Sequence, residues 1–320
     1  MAGRRRPPAL KSKIKAYLKG SPPPKPRPSG SHFDRAPYTF CTVKRPGPVS
    51  VHDVPDADVV IATWWETSFI VADLPCSKGI KAYFMQDYGA ATQTIEQILP
   101  TWQLSIPMIT ISNWLENLVR KHVPHAQIQT VSNGIDLEKF YPPEDNSARE
   151  HVGVVFNGLP TKRVPLAVEA VGILRARYPE LLLHVIGSPK QAYDDFVRPT
   201  GRISDDQVRQ IYSSCKAWIF PSKIEGYGLP ILESMACGTP VVATPAGAAP
   251  ELLESGGGVL VDSDDPSDLA DAVERVLNME DDQWRAMSRA ARAEAERHSW
   301  SVIGDQMEAA LLSILETANR

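Results

Sequence analysis

Two short apolar runs enclose the stretch that most constrains the fold of this chain. Residues 217–220 and 240–243 are short and apolar, which is typical of buried parallel strands. Between them lie a loop with Gly226 and Gly228 and a predicted helix at 230–236, whose first turn accommodates a proline. The stretch predicts a strand, a loop, a helix and a second strand of an α/β sheet.

Two glutamates give this stretch a possible chemistry. Glu225 lies on the loop before the predicted helix, and Glu233 lies on the helix itself. Free N–H groups at a helix start attract phosphate oxygens, and carboxylates accept hydrogen bonds from sugar hydroxyls. A diphosphate flanked by two polyols is a nucleotide sugar. The alternative interpretation is an ordinary strand, loop and helix with two solvated glutamates.

The same stretch resembles the signature of the retaining GT-B glycosyltransferases of family 4, the glycosyl transferases group 1. The resemblance rests on two glutamates separated by seven residues, with Gly-Tyr-Gly-Leu-Pro inside and Met-Ala-Cys-Gly-Thr-Pro-Val-Val afterwards. It implies that Glu225 faces the donor sugar and that Glu233 binds the ribose. It also implies that loop amides contact the sugar and the diphosphate, at Gly226, Tyr227, Gly228 and Leu229.

Two cations follow the predicted strand at 153–157. Lys162 and Arg163 lie beyond the carboxyl end of this strand, where open α/β sheets bind ligands. There they would offset charge that develops on a leaving nucleotide. The family usually has an arginine about five residues before this lysine, but Asn157 stands there and Arg163 is the candidate substitute. A solvated Lys-Arg turn is the alternative.

Three further donor-side residues come from the resemblance. Gly187, followed by Ser188 and Pro189, matches a family loop near the donor. Arg202 and Ile203 match a segment whose backbone contacts the nucleotide base.

The acceptor side is represented more weakly. Asp87 stands where the family often has a histidine–aspartate pair, with Gln86 in place of the histidine. Trp64 follows a predicted strand and could stack on an acceptor sugar. The alternatives are a turn or cap role for Asp87 and packing in the cleft between domains for Trp64.

Strands and helices alternate along the chain, which predicts an α/β fold with parallel sheets. Predicted strands lie at 58–63, 81–85, 107–111, 127–131, 153–157, 181–186, 217–220, 240–243 and 258–261. Predicted helices lie at 113–121, 165–178, 205–215, 230–236, 266–278, 281–298 and 301–318. The resemblance implies a GT-B architecture, with two Rossmann-like, doubly wound parallel-sheet domains facing a cleft.

The expected domains are an acceptor-side domain at 49–140 and a donor-binding domain at 141–299, with residues 300–320 packing back onto the first. Residues 131–136 resemble the family's hinge. The family usually opens with a strand and a glycine-rich loop, and nothing comparable precedes Asp58. The N-terminal domain is therefore expected to be reduced, unless residues 36–53 supply a divergent version.

Charge is distributed unevenly over the 320 residues, whose net charge is −4. Residues 1–49 hold 12 lysines and arginines and one acid, and residues 1–48 contain ten prolines. We interpret 1–48 as a basic tail and linker. Residues 1–21 include a short basic amphipathic stretch suited to an anionic membrane surface, which would favour a lipid-linked acceptor over other saccharides. A solvated tail is the alternative.

Other classes of partner and cofactor are not indicated. The acidic body and the lack of a base-reading motif argue against nucleic acid. Asp262-Ser263-Asp264 is interpreted as a turn and helix cap, so no metal and no cofactor is expected besides the nucleotide diphosphate sugar. Four irregularly spaced cysteines and the lack of a long apolar run favour a cytoplasmic protein, attached peripherally to the inner membrane face if the tail binds lipid.

The sequence therefore predicts transfer of a sugar from a nucleotide diphosphate sugar to an acceptor hydroxyl, with retention of configuration. Two alternatives remain open. One is a non-catalytic or partner-dependent nucleotide-sugar-binding subunit, because the acceptor half looks short. The other is a sugar-nucleotide epimerase, which needs an acid and a base on both sides of the sugar. The acceptor half offers no clear acid–base pair.

Overall fold

The structure is a computed structural model that describes residue 39 and residues 49–88, 93–144, 149–187 and 194–318. The chain divides between Pro55 and Asp56 into two units, which are described separately. In the first unit, Val51–Asp53 forms one 3₁₀ turn, and the N–H and hydroxyl of Ser50 each donate to Asp53 Oδ2 at 2.8 Å. The predicted amphipathic stretch at 1–21 lies outside the described residues.

The second unit begins with a small parallel sheet. Its strands and helices, in chain order, are β1 (Val59–Ala62), α1 (Trp65–Ala72), β2 (Ile80–Met85), α2 (Ile95–Trp102), β3 (Met108–Thr110), α3 (Asn113–His122) and β4 (Ile128–Thr130). The four strands are all parallel and lie in the order β1-β2-β3-β4, which we call the first sheet.

A larger parallel sheet follows. Its elements are β5 (His151–Val155), α4 (Val164–Leu174), β6 (Leu183–Ile186), β7 (Val197–Gly201), α5 (Asp205–Ser214), β8 (Cys215–Phe220), α6 (Leu229–Ala236), β9 (Val241–Ala243), α7 (Ala249–Leu253), β10 (Gly258–Leu260), α8 (Pro266–Leu277) and α9 (Asp281–Arg297). The six strands lie in the order β10-β9-β8-β5-β6-β7, which we call the second sheet.

Helices cover both faces of the second sheet, because side chains alternate along each strand. Ala217 and Ile219 of β8 belong to a buried cluster with α4 and α8. Trp218 points to the opposite face, where its ring lies 4.3 Å from that of Tyr212 on α5. On this face α6 packs against β8, and α9 packs against α6. The result is a doubly wound sheet.

The last helix, α10 (Trp300–Ala318), returns to the first sheet. Three of its side chains are buried together with three from the strands and the end of β4: Ile303, Ala310 and Ile314 with Ala82, Ile109 and Val131. Gln129 Nε2 also donates to Ala310 O at 3.4 Å. Helix α10 thus packs against the first sheet. The domain boundaries at 48/49, 140/141 and 299/300 stay predictions.

Most predicted elements are present with ends shifted by a few residues, one helix is shorter than predicted, and four elements were not predicted. The helix expected at 165–178 ends at Leu174 and is followed by turns. It does not include Tyr178, which precedes a proline and is therefore disfavoured in a helix. Strand β7 was not predicted, since Pro199 argues against a strand; it is tolerated because β7 is at the edge of the sheet. The helices α1 and α2 and the five-residue helix α7 were also not predicted.

The N-terminal part of the fold is small. Within residues 49–58, the structure shows a single 3₁₀ turn and no strand before β1. Of the helices in the described part of the chain, none has the length and apolar character needed to cross a bilayer.

Candidate active site

The strand order of the second sheet creates a crevice between β5 and β8. These two strands are neighbours, but the chain continues from β5 towards β6 and from β8 towards β9, on opposite sides. Ligands in open α/β sheets bind at such a switch point, beyond the carboxyl ends of the strands. The loop after β5 contains Lys162, and the loop after β8 contains Glu225. The topology therefore brings the two predicted catalytic residues to one place.

Lys162 and Glu225 form an ion pair. The Lys162 Nζ atom lies 2.5 Å from Glu225 Oε1, and the two side chains are only 12% and 14% exposed. The ammonium also lies 5.7 Å from the ring centroid of Phe220. The two loops are joined by the backbone, since Lys223 N donates to Thr161 O at 2.8 Å. An anion that enters the crevice would compete with Glu225 for the ammonium.

The loop after Glu225 leads directly into the start of α6. Gly228 precedes the helix with φ 109°, a left-handed conformation that favours glycine. Leu229 follows in the first turn, where N–H groups lack partners within a helix. Pro230 has no N–H, and Ile231 N donates to Gly228 O at 2.9 Å. The predicted segment 226–229 thus adopts the glycine-turn and helix-start geometry that attracts a phosphate.

Glu233 lies one turn into α6, and its carboxylate is fixed by a tyrosine. The hydroxyl of Tyr212, a fully buried residue of α5, donates to Glu233 Oε2 at 2.7 Å. Burial raises the pKa of the Glu233 carboxyl, while the hydrogen bond from Tyr212 and the positive charge of Lys162 act in the opposite direction. Nothing in the sequence indicated this hydrogen bond.

The raised pKa of Glu233 gives a testable pH dependence. A carboxyl whose pKa is higher in the folded state favours folding below its unfolded pKa, and this contribution is lost as the pH rises through the folded pKa. Glu233→Gln should therefore unfold at the same or a higher temperature than the parent at pH 7 to 8, and the gap should shrink towards the ordinary pKa of 4.5. Melting curves across this pH range measure the gap.

The matched control is Glu169→Gln, which removes one negative charge from the exposed face of α4. If Glu233→Gln were less stable than the parent at neutral pH, the carboxylate would be stabilising the fold, and it would not be retained only for a ligand.

The side chain of Arg163 contacts Pro221, which follows β8, and Asp264, which precedes α8. The residue has φ 45° and ψ 40°, the left-handed region, directly before α4. Its Nε donates to Pro221 O at 2.6 Å, and its Nη1 pairs with Asp264. Asp264 also lies 3.6 Å from Lys223 Nζ, and the hydrogen bond from Arg163 lowers the pKa of the Asp264 carboxyl. Arg163 would have to leave Asp264 to reach a diphosphate.

The Asp262–Asp264 segment leads into α8. Asp265 caps this helix, because its Oδ1 accepts from Ser267 N at 2.8 Å. Within the ranges that the structure describes, no group of three or more histidine, cysteine, aspartate or glutamate residues is arranged to bind a metal.

The remaining donor-side residues lie at the carboxyl ends of β6 and β7. Gly187 has φ 84°, and its N–H donates to Gly201 O at 3.2 Å. A Cβ at Gly187 would lie 2.4 Å from Phe156 O, so only glycine fits. Arg202 is exposed and Ile203 is half-buried directly after β7. Ser188 and Pro189 lie outside the described residues.

The first sheet presents its own loops to this crevice. A Cβ at Gly226 would lie 2.3 Å from Gln86 O, so the donor-side loop touches the residue beside Asp87. The hydroxyl of Ser112 donates to Gly226 O at 3.0 Å. Asp87 and Trp64 are both exposed at this edge, after β2 and β1. The carboxyl ends of the two sheets therefore face each other.

The segment resembling a hinge runs beside the start of α10. Ile135 forms a bridge with Ser299, and Ile135 N donates to His298 O at 2.8 Å. The Nδ1 atom of His298 lies 2.9 Å from Ser132 Oγ and 3.3 Å from the hydroxyl of Tyr227. Sequence reasoning missed His298, which connects the hinge to the donor-side loop.

The structure therefore has two parallel α/β sheets whose strand ends face each other. The second sheet carries a cation and a carboxylate at its switch point, the usual position of a ligand in open α/β sheets. Residues 151–279 match the family model described as glycosyl transferases group 1. This part of the chain is a glycosyl transferases group 1 domain, and the family prediction is confirmed.

Relatives and solved structures agree with this assignment. The chain is 31% identical over 235 residues to a D-inositol 3-phosphate glycosyltransferase of Saccharomonospora viridis, covering 63% of this chain and 53% of that protein. HepE of Anabaena in complex with UDP-glucose has a TM-score of 0.68 at 18% identity, covering 80% of this chain and 79% of that one.

Sucrose-phosphate synthase of Thermosynechococcus elongatus has a TM-score of 0.67 at 21% identity, covering 81% and 74% of the two chains. The GT-B fold, with a short N-terminal part, is confirmed. The chain spans about half the length of the curated relatives it matches.

Proposed function

We propose that this protein transfers a sugar from a nucleotide diphosphate sugar to an acceptor hydroxyl with retention of configuration. The observation that carries the proposal is the shielded Lys162–Glu225 pair at the switch point, opposite the loops of the first sheet. The family match over 151–279 and the nucleotide sugar bound by HepE of Anabaena support it.

In the proposed reaction, the bond between the anomeric carbon and the diphosphate oxygen breaks, and a bond to the acceptor oxygen forms on the same face. The acceptor proton passes to the leaving diphosphate, so a strong protein base at Gln86 or Asp87 is unnecessary. Lys162 and the N–H groups at the start of α6 stabilise the charge on the diphosphate. Glu225 faces the positive charge that develops on the sugar.

Glu233 is assigned to the ribose hydroxyls. Tyr212 occupies Oε2 of this carboxylate, and we assign the other oxygen to the ligand. Gly187, Arg202 and Ile203 are assigned to the donor, with Arg163 as a second cation once it leaves Asp264. In this proposal no metal or cofactor takes part, because lysine and amide groups supply the positive charge.

A panel of nucleotide sugars in a thermal-shift assay tests donor binding. A ligand that binds only the folded protein stabilises it by about 2.7 kcal/mol at a concentration of 100 times Kd. At least one nucleotide diphosphate sugar should raise the melting temperature, and Glu233→Ala should weaken that shift. No shift with any member of the panel would contradict the proposal.

A nucleotide-sugar-binding subunit without activity of its own remains the second candidate. The first sheet favours it, because it has four strands against six in the second. Acceptor-dependent release of nucleoside diphosphate separates the two candidates, because a binding subunit would show the thermal shift without turnover.

We propose a cytoplasmic protein attached peripherally to the inner face of a membrane through residues 1–21, with a lipid-linked acceptor. The full chain should bind vesicles that contain anionic lipid, and deletion of residues 1–21 should abolish binding. Equal binding by both proteins would contradict this assignment.

A further inference from the structure

The loop that follows Glu225 is fixed at Tyr227 through both its backbone and its side chain. Tyr227 is only 3% exposed, and its carbonyl oxygen accepts from Ala248 N at 2.8 Å. Its hydroxyl lies 3.3 Å from Nδ1 of His298, at the end of α9. Burial raises the pKa of the Tyr227 phenol, so the hydroxyl keeps its proton and donates to Nδ1. The donor-side loop is therefore attached to α9 by a side chain as well as to its own domain by the backbone.

His298 is oriented by a carboxylate one turn earlier on α9. Its Nε2 donates to Glu294 Oε1 at 3.2 Å, and the two side chains are only 17% and 11% exposed. Oε2 of the same carboxylate pairs with Arg297 at 3.0 Å. A carboxylate only accepts hydrogen bonds, so Nε2 carries a proton and the neutral ring presents the lone pair of Nδ1. This nitrogen is within reach of two hydroxyls, that of Tyr227 and that of Ser132 at 2.9 Å.

The same histidine also holds the segment that resembles a hinge. The carbonyl oxygen of His298 accepts from Ile135 N at 2.8 Å, and the next residue, Ser299, forms a bridge with Ile135. The carbonyl oxygen of Ser299 accepts from Ile303 N at 3.0 Å, and the Ile303 side chain is buried against the first sheet. His298 therefore lies where the donor-side loop, the hinge and the start of α10 meet.

A displacement of Tyr227 would be passed directly to Glu225. Two residues of chain span at most about 7 Å, so the carboxylate cannot stay in place when the tyrosine moves far. The groups assigned to the diphosphate and the ribose have other supports: Lys162 lies on the separate loop after β5, and Glu233 accepts from Tyr212 at 2.7 Å. Loss of the contact at Tyr227 should therefore affect the group beside the reacting sugar more than the groups that bind the nucleotide.

We propose that His298 is a positioning residue for sugar transfer, which holds the hydroxyl of Tyr227 and thereby keeps Glu225 beside the donor sugar. This inference rests on the proposed function. His298 touches neither the sugar nor the diphosphate in this arrangement, and it acts only through Tyr227.

Steady-state kinetics on the full chain test the proposal. The reaction measured is release of nucleoside diphosphate from the nucleotide sugar found in the thermal-shift panel, with myo-inositol 3-phosphate or water as the acceptor. Tyr227→Phe keeps the ring and removes the hydroxyl, and should lower kcat about three- to ten-fold, the range of one net hydrogen bond. The KM for the nucleotide sugar should change less than about two-fold, because the interaction acts in the transition state. His298→Ala should lower kcat similarly, and the double variant should lose little more, since both act through one contact.

Two further replacements of His298 separate its contact with the hydroxyls from its contact with Glu294. The amide of asparagine reaches the position of Nδ1, and the amide of glutamine reaches that of Nε2. His298→Asn should therefore retain more of the parental kcat than His298→Gln. Tyr178→Phe is the matched control, because it removes a half-buried hydroxyl that donates to Glu274 and Asn278 at 2.9 Å, beside α8. Its kcat should equal that of the parent.

Parental kcat in Tyr227→Phe, an equal loss in Tyr178→Phe, or better rescue by glutamine than by asparagine would each overturn the proposal. A raised KM with unchanged kcat would overturn it too, because the contact would then serve donor binding. In all these cases the parent is active, and only this inference fails. If no nucleotide sugar shifts the melting temperature, or if the parent binds one without releasing nucleoside diphosphate, sugar transfer itself is contradicted, and this inference fails with it.

Discussion

Lys162→Met is expected to lower the rate of sugar transfer about 10²- to 10³-fold, the usual effect of removing one group that stabilises transition-state charge. Methionine keeps most of the apolar stem over Phe220 and removes only the ammonium. The donor's diphosphate would then lose its cation, and Glu225 would lose its partner at 2.5 Å. Release of nucleoside diphosphate under saturating donor measures the effect.

Two further variants separate catalysis from folding. Lys223→Met is the matched control, because this lysine lies on the adjoining loop and is 63% exposed. Its ion pair is with Asp264, at 3.6 Å. Its rate should stay within about three-fold of the parent, since exposed ion pairs contribute little. The double variant Lys162→Met with Glu225→Gln should regain melting temperature lost by the single variant, yet stay inactive. Equal losses in Lys162→Met and Lys223→Met would contradict the assigned role.

Gly226→Ala is expected to lower transfer about ten- to 100-fold, because small displacements of reacting groups have effects of this size. The added Cβ would lie 2.3 Å from the backbone oxygen of Gln86, which cannot move like a flexible side chain. The loops of the two sheets would have to separate, and the hydrogen bond from Ser112 would lengthen. Binding of the nucleotide sugar should change little, because alanine keeps the amide at this position.

Gly304→Ala controls for the glycine substitution itself. It lies in α10, and a Cβ there meets nothing within 4 Å. Alanine should stabilise the helix by about 0.5 to 1 kcal/mol and leave activity unchanged. If Gly226→Ala kept the parental rate, the contact between the two sheets would not belong to the working arrangement.

The sequence was most informative where the signal is local. The apolar run of β8, the glycines before α6 and the proline in its first turn all lie within about 20 residues, and the structure shows the predicted strand, loop and helix there. Ser112 likewise caps α3 locally, since its hydroxyl accepts from Leu115 N. Such features depend on backbone geometry that a few neighbouring residues determine.

Contacts that depend on strand order could not be predicted from these patterns. Lys162 and Glu225 were assigned to one site by resemblance, but their direct pairing follows from β5 lying next to β8. The bonds from Tyr212 to Glu233 and from Ser112 to Gly226 likewise join separate elements. Strand β7 was missed because Pro199 is acceptable only at an edge, and periodicity does not reveal which strand is the edge.

A crystal structure of the protein with its nucleotide diphosphate sugar tests the central claim most directly. Diphosphate oxygens are expected within hydrogen-bond distance of Lys162 Nζ and of an N–H group at the start of α6, with the ribose at Glu233. A nucleotide bound elsewhere, with the Lys162–Glu225 pair unchanged at 2.5 Å, would contradict it.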